Sequence, residues 1–261
     1  MAATDYAGLG TAGTLEYLIG EAEAHDVLNS VRAARAVDAR AGSRVALWGH
    51  SQGGHSVLWS AALAPELAPE HEVVASAVAA PAAELELLIS RQWDNVVGSL
   101  IGAEVLVAWP TAFPELRTKG LVGTSIDPRD IADMCIAAGL VDLEVRNIFG
   151  LTIFERNPMR EPDWAAVATA QTPPLPAPGA PTFLAQGLDD PVVLPRTTAT
   201  FVTRACAAGS DLDAQFIGDL GHMKAGFAAA PLVFTWLQQR FAGVPMVRTC
   251  GTVLPVAPIA P

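Results

Sequence analysis

Arg44-Val45-Ala46-Leu47-Trp48-Gly49-His50-Ser51-Gln52-Gly53-Gly54-His55 is the stretch from which the rest of the chain can be read. Its first five residues form a short apolar run between Gly42 and Gly49, the pattern of a strand buried on both faces. From Gln52 to about residue 63 the chain reads as a helix. The corner between them, Gly49-His50-Ser51-Gln52-Gly53, fits G-x-S-x-G, in which a serine sits on a sharp strand-to-helix turn with its hydroxyl above the sheet. Such a turn strains the serine backbone and crowds the residues two before and two after, so glycine is needed at 49 and 53. The backbone N–H of Gln52 opens the helix and points where an oxyanion would form. Five residues alone are a weak signal. Set between an apolar strand and a helix, with Gly54 beside them, they are a specific one.

Outward from this corner the same alternation continues. Leu15, Leu18, Ile19, Ala22, Val27, Val31 and Ala34 recur at helical spacing and predict an amphipathic helix over 14–37. Residues 1–10 read as the tail of a strand running into a glycine-rich turn. The β-branched run of 72–78 predicts the next strand. Strand, helix and strand in succession predict a mostly parallel sheet with helices on both faces. After Pro81 the pattern changes. Helical segments at 84–89 and 131–141, with Trp93, Trp109 and Trp164 among many Ala, Val and Leu residues, predict an inserted helical cap. It ends at Pro173-Pro174-Leu175-Pro176-Ala177-Pro178, a stiff extended connector. The sheet pattern then resumes with strands at 182–185 and 214–217 and helices at 196–207 and 225–241. The expected division is a core of 1–81 and 173–261, with the cap at 82–172.

Composition bounds the function. The 261 residues suit one large α/β domain with an insertion. A 51% apolar and 16% charged composition implies a sizeable buried core. A net charge of -11 argues against nucleic-acid binding, which needs clustered Lys and Arg. No apolar run reaches the roughly 18 residues of a membrane span, and the first ten residues lack a signal-peptide pattern. Cys135, Cys206 and Cys250 lack the spacing of a zinc site, and no metal or organic cofactor is expected.

Serine needs a base to take its proton. Of the five histidines, His25 falls on the solvated face of the first helix, and His50 lies inside the turn, where its ring cannot act on the serine as base. His55 reads as a packing or capping residue, and His71 precedes a strand in a charged loop. His222, in Gly218-Asp219-Leu220-Gly221-His222, follows the last strand, where a base is delivered to the serine. The acid is sought after the preceding strand, in Gly187-Leu188-Asp189-Asp190-Pro191. Asp190 is favoured by its spacing from Gly187, with Asp189 as the alternative. Asp219 is too near His222 in sequence to orient it. The resulting order, Ser51, Asp190, His222, is the order of α/β-hydrolase triads.

Together, Thr4-Asp5-Tyr6-Ala7-Gly8-Leu9-Gly10, Glu16-Tyr17-Leu18-Ile19-Gly20, Val27-Leu28-Asn29-Ser30-Val31-Arg32-Ala33-Ala34, the Gly49–His55 corner, Asp190, Cys206, Gly221-His222 and Cys250-Gly251-Thr252 resemble the secretory lipase family typified by Candida antarctica lipase A. The resemblance implies an α/β-hydrolase fold with a helical cap. It also implies a secreted carboxylic ester hydrolase acting through a Ser-Asp-His triad on a small-molecule or lipid ester. Cys206 and Cys250 match a disulfide of that family, whose closure would stabilise the fold by about 4 kcal/mol on a chain-entropy argument.

The chain departs from the family at its front. Members carry a long segment before the position of Thr4, holding the early strands and the first oxyanion loop. The resemblance therefore implies that the chain lacks those strands, that Cys135 has lost its mate, and that only one oxyanion donor, Gln52 N–H, is assigned. Losing the second donor would cost roughly 3 kcal/mol of transition-state stabilisation. The strand at 44–48 would then have an open edge, through which two copies could pair as a homodimer. Two other functions fit the same residues: an acyltransferase using the same acyl-serine, and a catalytically silent remnant that only binds.

Overall fold

The computed structural model describes every residue except 11, 39, 124, 135, 149–150, 177–180 and 260–261. Among the described residues β1 (Arg44–His50), β2 (Glu72–Ala79), β3 (Thr182–Gly187) and β4 (Leu212–Ile217) pair in that order, all parallel. His50 aligns with Ala79, Ala79 with Ala185, and Gly187 with Ile217. The loops that follow β1, β3 and β4 therefore leave the sheet at one end, where α/β folds place their sites. This register is what brings distant stretches of sequence together.

Side chains alternate across the sheet with period two. Leu47, Val78, Leu184 and Leu212 face Val57 and Leu58 of α2 (Gln52–Leu67) and Phe201 and Val202 of α8 (Pro195–Ala207). On the other face Ala75, Ala77, Ala79, Phe183 and Ala185 meet Ala229, Val233 and Trp236 of α9 (His222–Phe241). Cutting a fully buried member such as Leu184 back to alanine would cost about 2–5 kcal/mol. α1 (Gly20–Val37) packs on α2, so helices cover both faces as the alternation predicts.

The two sheet edges differ. Beside β4, Thr249 donates its N–H to Leu212 and accepts the Ala214 N–H on its Oγ1. The Cys206–Cys250 disulfide fastens that segment to α8, across a sequence separation of 44. β1 pairs with β2 only, among the described residues.

A second unit comprises Tyr6–Ile19 and Leu85–Thr172, while Met1–Asp5, Gly20–Glu84 and Pro173–Pro261 cluster with the sheet. Within the second unit lie α3 (Leu85–Gln92), α4 (Val96–Ala112), α5 (Pro128–Ala132), α6 (Ile136–Ile148) and α7 (Pro162–Ala170). Asn95 caps α4 by accepting the Gly98 N–H on its side chain. Trp109 and Trp164 are fully buried and stacked, their ring centroids 6.1 Å apart. Their indole N–H groups donate to the carbonyls of Tyr17 and Arg117. These tryptophans are core of this unit. No described helix is long and apolar enough to cross a membrane.

Several predicted elements shift. Residues 1–10 hold turns rather than a strand, and α1 starts at Gly20 instead of 14, because Leu18 turns back at φ +53°. The helix expected at 131–141 is two helices, α5 and α6, and Cys135 lies outside the described residues. α4, apolar nearly all round with Glu104 as its one charged residue, gives no periodic signal and escapes the sequence reading.

Candidate active site

Ser51 stands between β1 and α2 with φ +57° and ψ −119°, a conformation that costs a non-glycine residue of order 1–3 kcal/mol. Its N–H donates to Ala79 O at 3.0 Å, which pins the turn to the neighbouring strand. A Cβ at Gly49 would fall 2.0 Å from Gly53 O, so glycine there is a steric requirement of the corner. Ser51 sits at the N-cap position of α2, yet its hydroxyl makes no cap hydrogen bond. It is turned instead toward His222, with Oγ 2.8 Å from Nε2.

His222 is the first residue of α9, following Gly221 as N-cap. The sequence predicts it in a loop, with the helix starting three residues later; the structure draws it into the first turn of α9. The loop before it leans on the end of β3: Asp189 N–H donates to Leu220 O, and a Cβ at Gly187 would lie 2.2 Å from that same oxygen. Glycine at 187 thus lets the β3 and β4 loops meet. Its consequence is the contact between His222 Nδ1 and Asp190 Oδ2, at 2.8 Å.

Asp190 is buried and closely held. Its Oδ1 accepts the N–H groups of Val192 and Val193 at 2.8 and 2.9 Å. Its Oδ2 also accepts from Gln186 Nε2 at 3.3 Å, and Gln186 is fixed in turn by Thr198 Oγ1. Asp189, the alternative, is exposed. With the carboxylate accepting Nδ1–H, the neutral imidazole presents Nε2 as an acceptor to the serine hydroxyl. The structure therefore aligns Ser51, His222 and Asp190 in one hydrogen-bonded succession, and leaves out Asp189.

The other histidines fall elsewhere. His25 is exposed, and His71 is buried beside Glu70. His50 lies with its ring 4.6 Å from that of His222, and its Nε2 is 3.0 Å from His222 O, a distance at which Nε2–H donates to the carbonyl. Burial, then the proximity of His222, push its pKa below the usual histidine value. His55 is fully buried, its Nδ1 2.6 Å from Glu23 Oε2. Sequence reasoning passed over Glu23. The available signal was its place on the apolar stripe of α1, one turn from both Ile19 and Val27, where an acidic residue is out of pattern.

The N–H groups of Gln52 and Gly53 open α2 and have no carbonyl four residues back within it, so they stand as donors at the positive end of the helix dipole. Among the described residues no group of three His, Cys, Asp or Glu side chains is arranged to hold a metal ion.

Residues 1–249 match the secretory lipase family. Lipase 6 of Candida albicans is 26% identical over 228 residues, covering 80% of this chain and 48% of that protein. Lipase A of Moesziomyces aphidis is 24% identical over 253 residues, covering 92% of this chain and 54% of that protein. The chain spans about half the length of these curated relatives. Among solved structures, Candida antarctica lipase A in its closed state is similar with a TM-score of 0.72 at 19% identity, over 93% of this chain and 59% of that one. A variant of the rice cell wall degrading esterase LipA from Xanthomonas oryzae is similar with a TM-score of 0.74 at 22% identity, over 90% of this chain and 70% of that one. These likenesses establish the α/β-hydrolase fold.

Proposed function

The chain belongs to the secretory lipase family, and we propose that it hydrolyses carboxylic esters through an acyl-serine intermediate, with Ser51, His222 and Asp190 as its triad. The observation that carries this reading is the pair of 2.8 Å contacts, Ser51 Oγ to His222 Nε2 and His222 Nδ1 to Asp190 Oδ2. The names of the relatives, lipases and an esterase, support an ester as the substrate class.

In this reading Ser51 Oγ attacks the ester carbonyl carbon as its proton passes to His222 Nε2. The carbonyl π pair moves onto oxygen, and the Gln52 N–H stabilises the charge that forms there. Collapse of the adduct breaks the bond to the alcohol oxygen, which leaves with the proton from Nε2. A water then gives its proton to Nε2 while its oxygen attacks the acyl carbon. The second adduct releases the acid, and the proton returns to Ser51 Oγ. Asp190 holds the imidazole in the tautomer with hydrogen on Nδ1 and balances the imidazolium in both halves of the cycle.

Hydrolysis of p-nitrophenyl esters from C2 to C16 tests the reading. Wild type should turn them over and Ser51→Ala should not; equal rates for the two would overturn it. From the family we also infer export from the cell, testable by the appearance of the protein in culture medium. From the edge of β1, which among the described residues pairs only with β2, we infer that two copies associate strand to strand. Light scattering should then report a dimer, and a strict monomer at micromolar concentration would contradict it.

A further inference from the structure

Behind the serine lies a second buried cluster. Glu23 of α1 is 1% exposed, and its carboxylate collects three donors from the first turns of α2. Gln52 Nε2 reaches Oε1 at 2.8 Å, while His55 Nδ1 and Ser56 Oγ reach Oε2 at 2.6 and 2.7 Å. All three belong to the five residues directly after Ser51. Ser56 Oγ also lies 2.9 Å from Gln52 O, so its single hydrogen is shared between that backbone carbonyl and the Glu23 carboxylate. A carboxylate there also suits the positive end of the α2 dipole.

We propose that Glu23 is a positioning residue for the nucleophile corner: it fixes the first turn of α2 from outside, and with it the direction of the Gln52 N–H and the setting of Ser51. The need for an external hold follows from the corner itself. Ser51 occupies the N-cap position without capping, because its hydroxyl is turned to His222. Its backbone is also strained, and a strained conformation persists only where the surroundings over-determine it. The carboxylate of Glu23 takes the place of the missing cap by gripping side chains instead of backbone N–H groups. An oxyanion donor is effective only when pre-aimed, so freedom gained by this turn is lost to the transition state rather than to substrate binding.

This role rests on the ester-hydrolase reading, and the test separates the two. Glu23→Gln keeps the shape of the side chain but turns half of the acceptor into a donor facing donors. Kinetics per active site, with sites counted by a p-nitrophenol burst, should show kcat reduced about tenfold and KM within twofold. The affinity of a phenylboronic acid, which forms a tetrahedral adduct on the serine, should fall in parallel. Unchanged kcat per site and unchanged boronate affinity, with only a lower melting temperature, would reduce Glu23 to a packing role and overturn the proposal. Should Glu23→Gln yield no titratable sites, His55→Leu and His55→Asn decide. The first removes a donor and should lower kcat severalfold; the second restores one and should recover most of it. Equal kcat in that pair overturns the role. A wild-type chain that neither hydrolyses esters nor titrates overturns the ester-hydrolase reading and this role with it, whereas an active wild type beside an equally active Glu23→Gln overturns this role alone.

Discussion

Two clusters in the sheet unit are built from the same three kinds of side chain. One is Asp190, His222 and Ser51; the other is Glu23, His55 and Ser56. In each, a buried carboxylate takes the Nδ1 of an imidazole at under 3 Å. Their topology separates them. In the first, acid, base and hydroxyl follow β3, β4 and β1 at one end of the parallel sheet, and the contacts run in line from carboxylate to imidazole to serine. In the second, imidazole and hydroxyl sit one residue apart on a helix and both turn to a single carboxylate. The Ser56 hydroxyl is directed at an oxygen of Glu23 or Gln52. On the proposed reading, a carboxylate–histidine pair beside a serine is thus not by itself a signature of catalysis. The order of the contacts and the serine's place outside regular helix geometry make the difference.

Exchanging the serines would break this contrast most sharply. Ser51→Ala should lower kcat by about 10⁶, the scale seen when a triad nucleophile is removed. Ser56→Ala should stay within severalfold in the same p-nitrophenyl ester assay. Next comes the acid. Asp190→Asn should cost about 10⁴ in kcat, since an amide no longer selects the tautomer with hydrogen on Nδ1. Asp189→Asn, on the exposed neighbour, should leave the rate within twofold. A comparable loss in the two variants would mean the acid has been misassigned.

Both clusters share one unit, so its disulfide should support them equally. Replacing Cys206 and Cys250 by serine should lower unfolding stability by about 4 kcal/mol, three orders of magnitude in the equilibrium, with kcat of the folded protein unchanged. Urea titration checks the first part and ester hydrolysis the second.

The smallest effect concerns His50, a second imidazole beside His222 with no counterpart in the other cluster. Its pKa is lowered on folding, mainly by burial, so below the ordinary histidine value the unfolded chain binds more protons than the folded one. Stability attached to His50 is therefore present above about pH 6.5 and is lost as pH falls through that range. His50→Gln should flatten the decline in stability between pH 7 and pH 5, measured by urea unfolding at each pH.

Much of this arrangement was legible in the sequence because steric rules are local at a sharp corner. Glycine at 49, a strand before it and a helix after it fix where Ser51 points. Parallel strand order then brings Asp190, after β3, and His222, after β4, to the same end of the sheet as Ser51. Glu23 is harder to read, since its partners lie about thirty residues further on and the only local sign of its burial is an acid out of place on an apolar stripe. The start of α1 was misplaced for a related reason: apolar spacing continues through residues 14–19, while Leu18 at φ +53° breaks the helix. The second unit was least legible. α4 is apolar nearly all round, and one charged residue, Glu104, gives too little periodicity to read.

Mass-spectrometric mapping of a fluorophosphonate adduct tests the central claim most directly. The folded wild-type protein should carry one adduct, on Ser51, and His222→Ala should carry none on the same timescale. A folded wild type that stays unmodified, or an adduct on Ser56, would contradict the account.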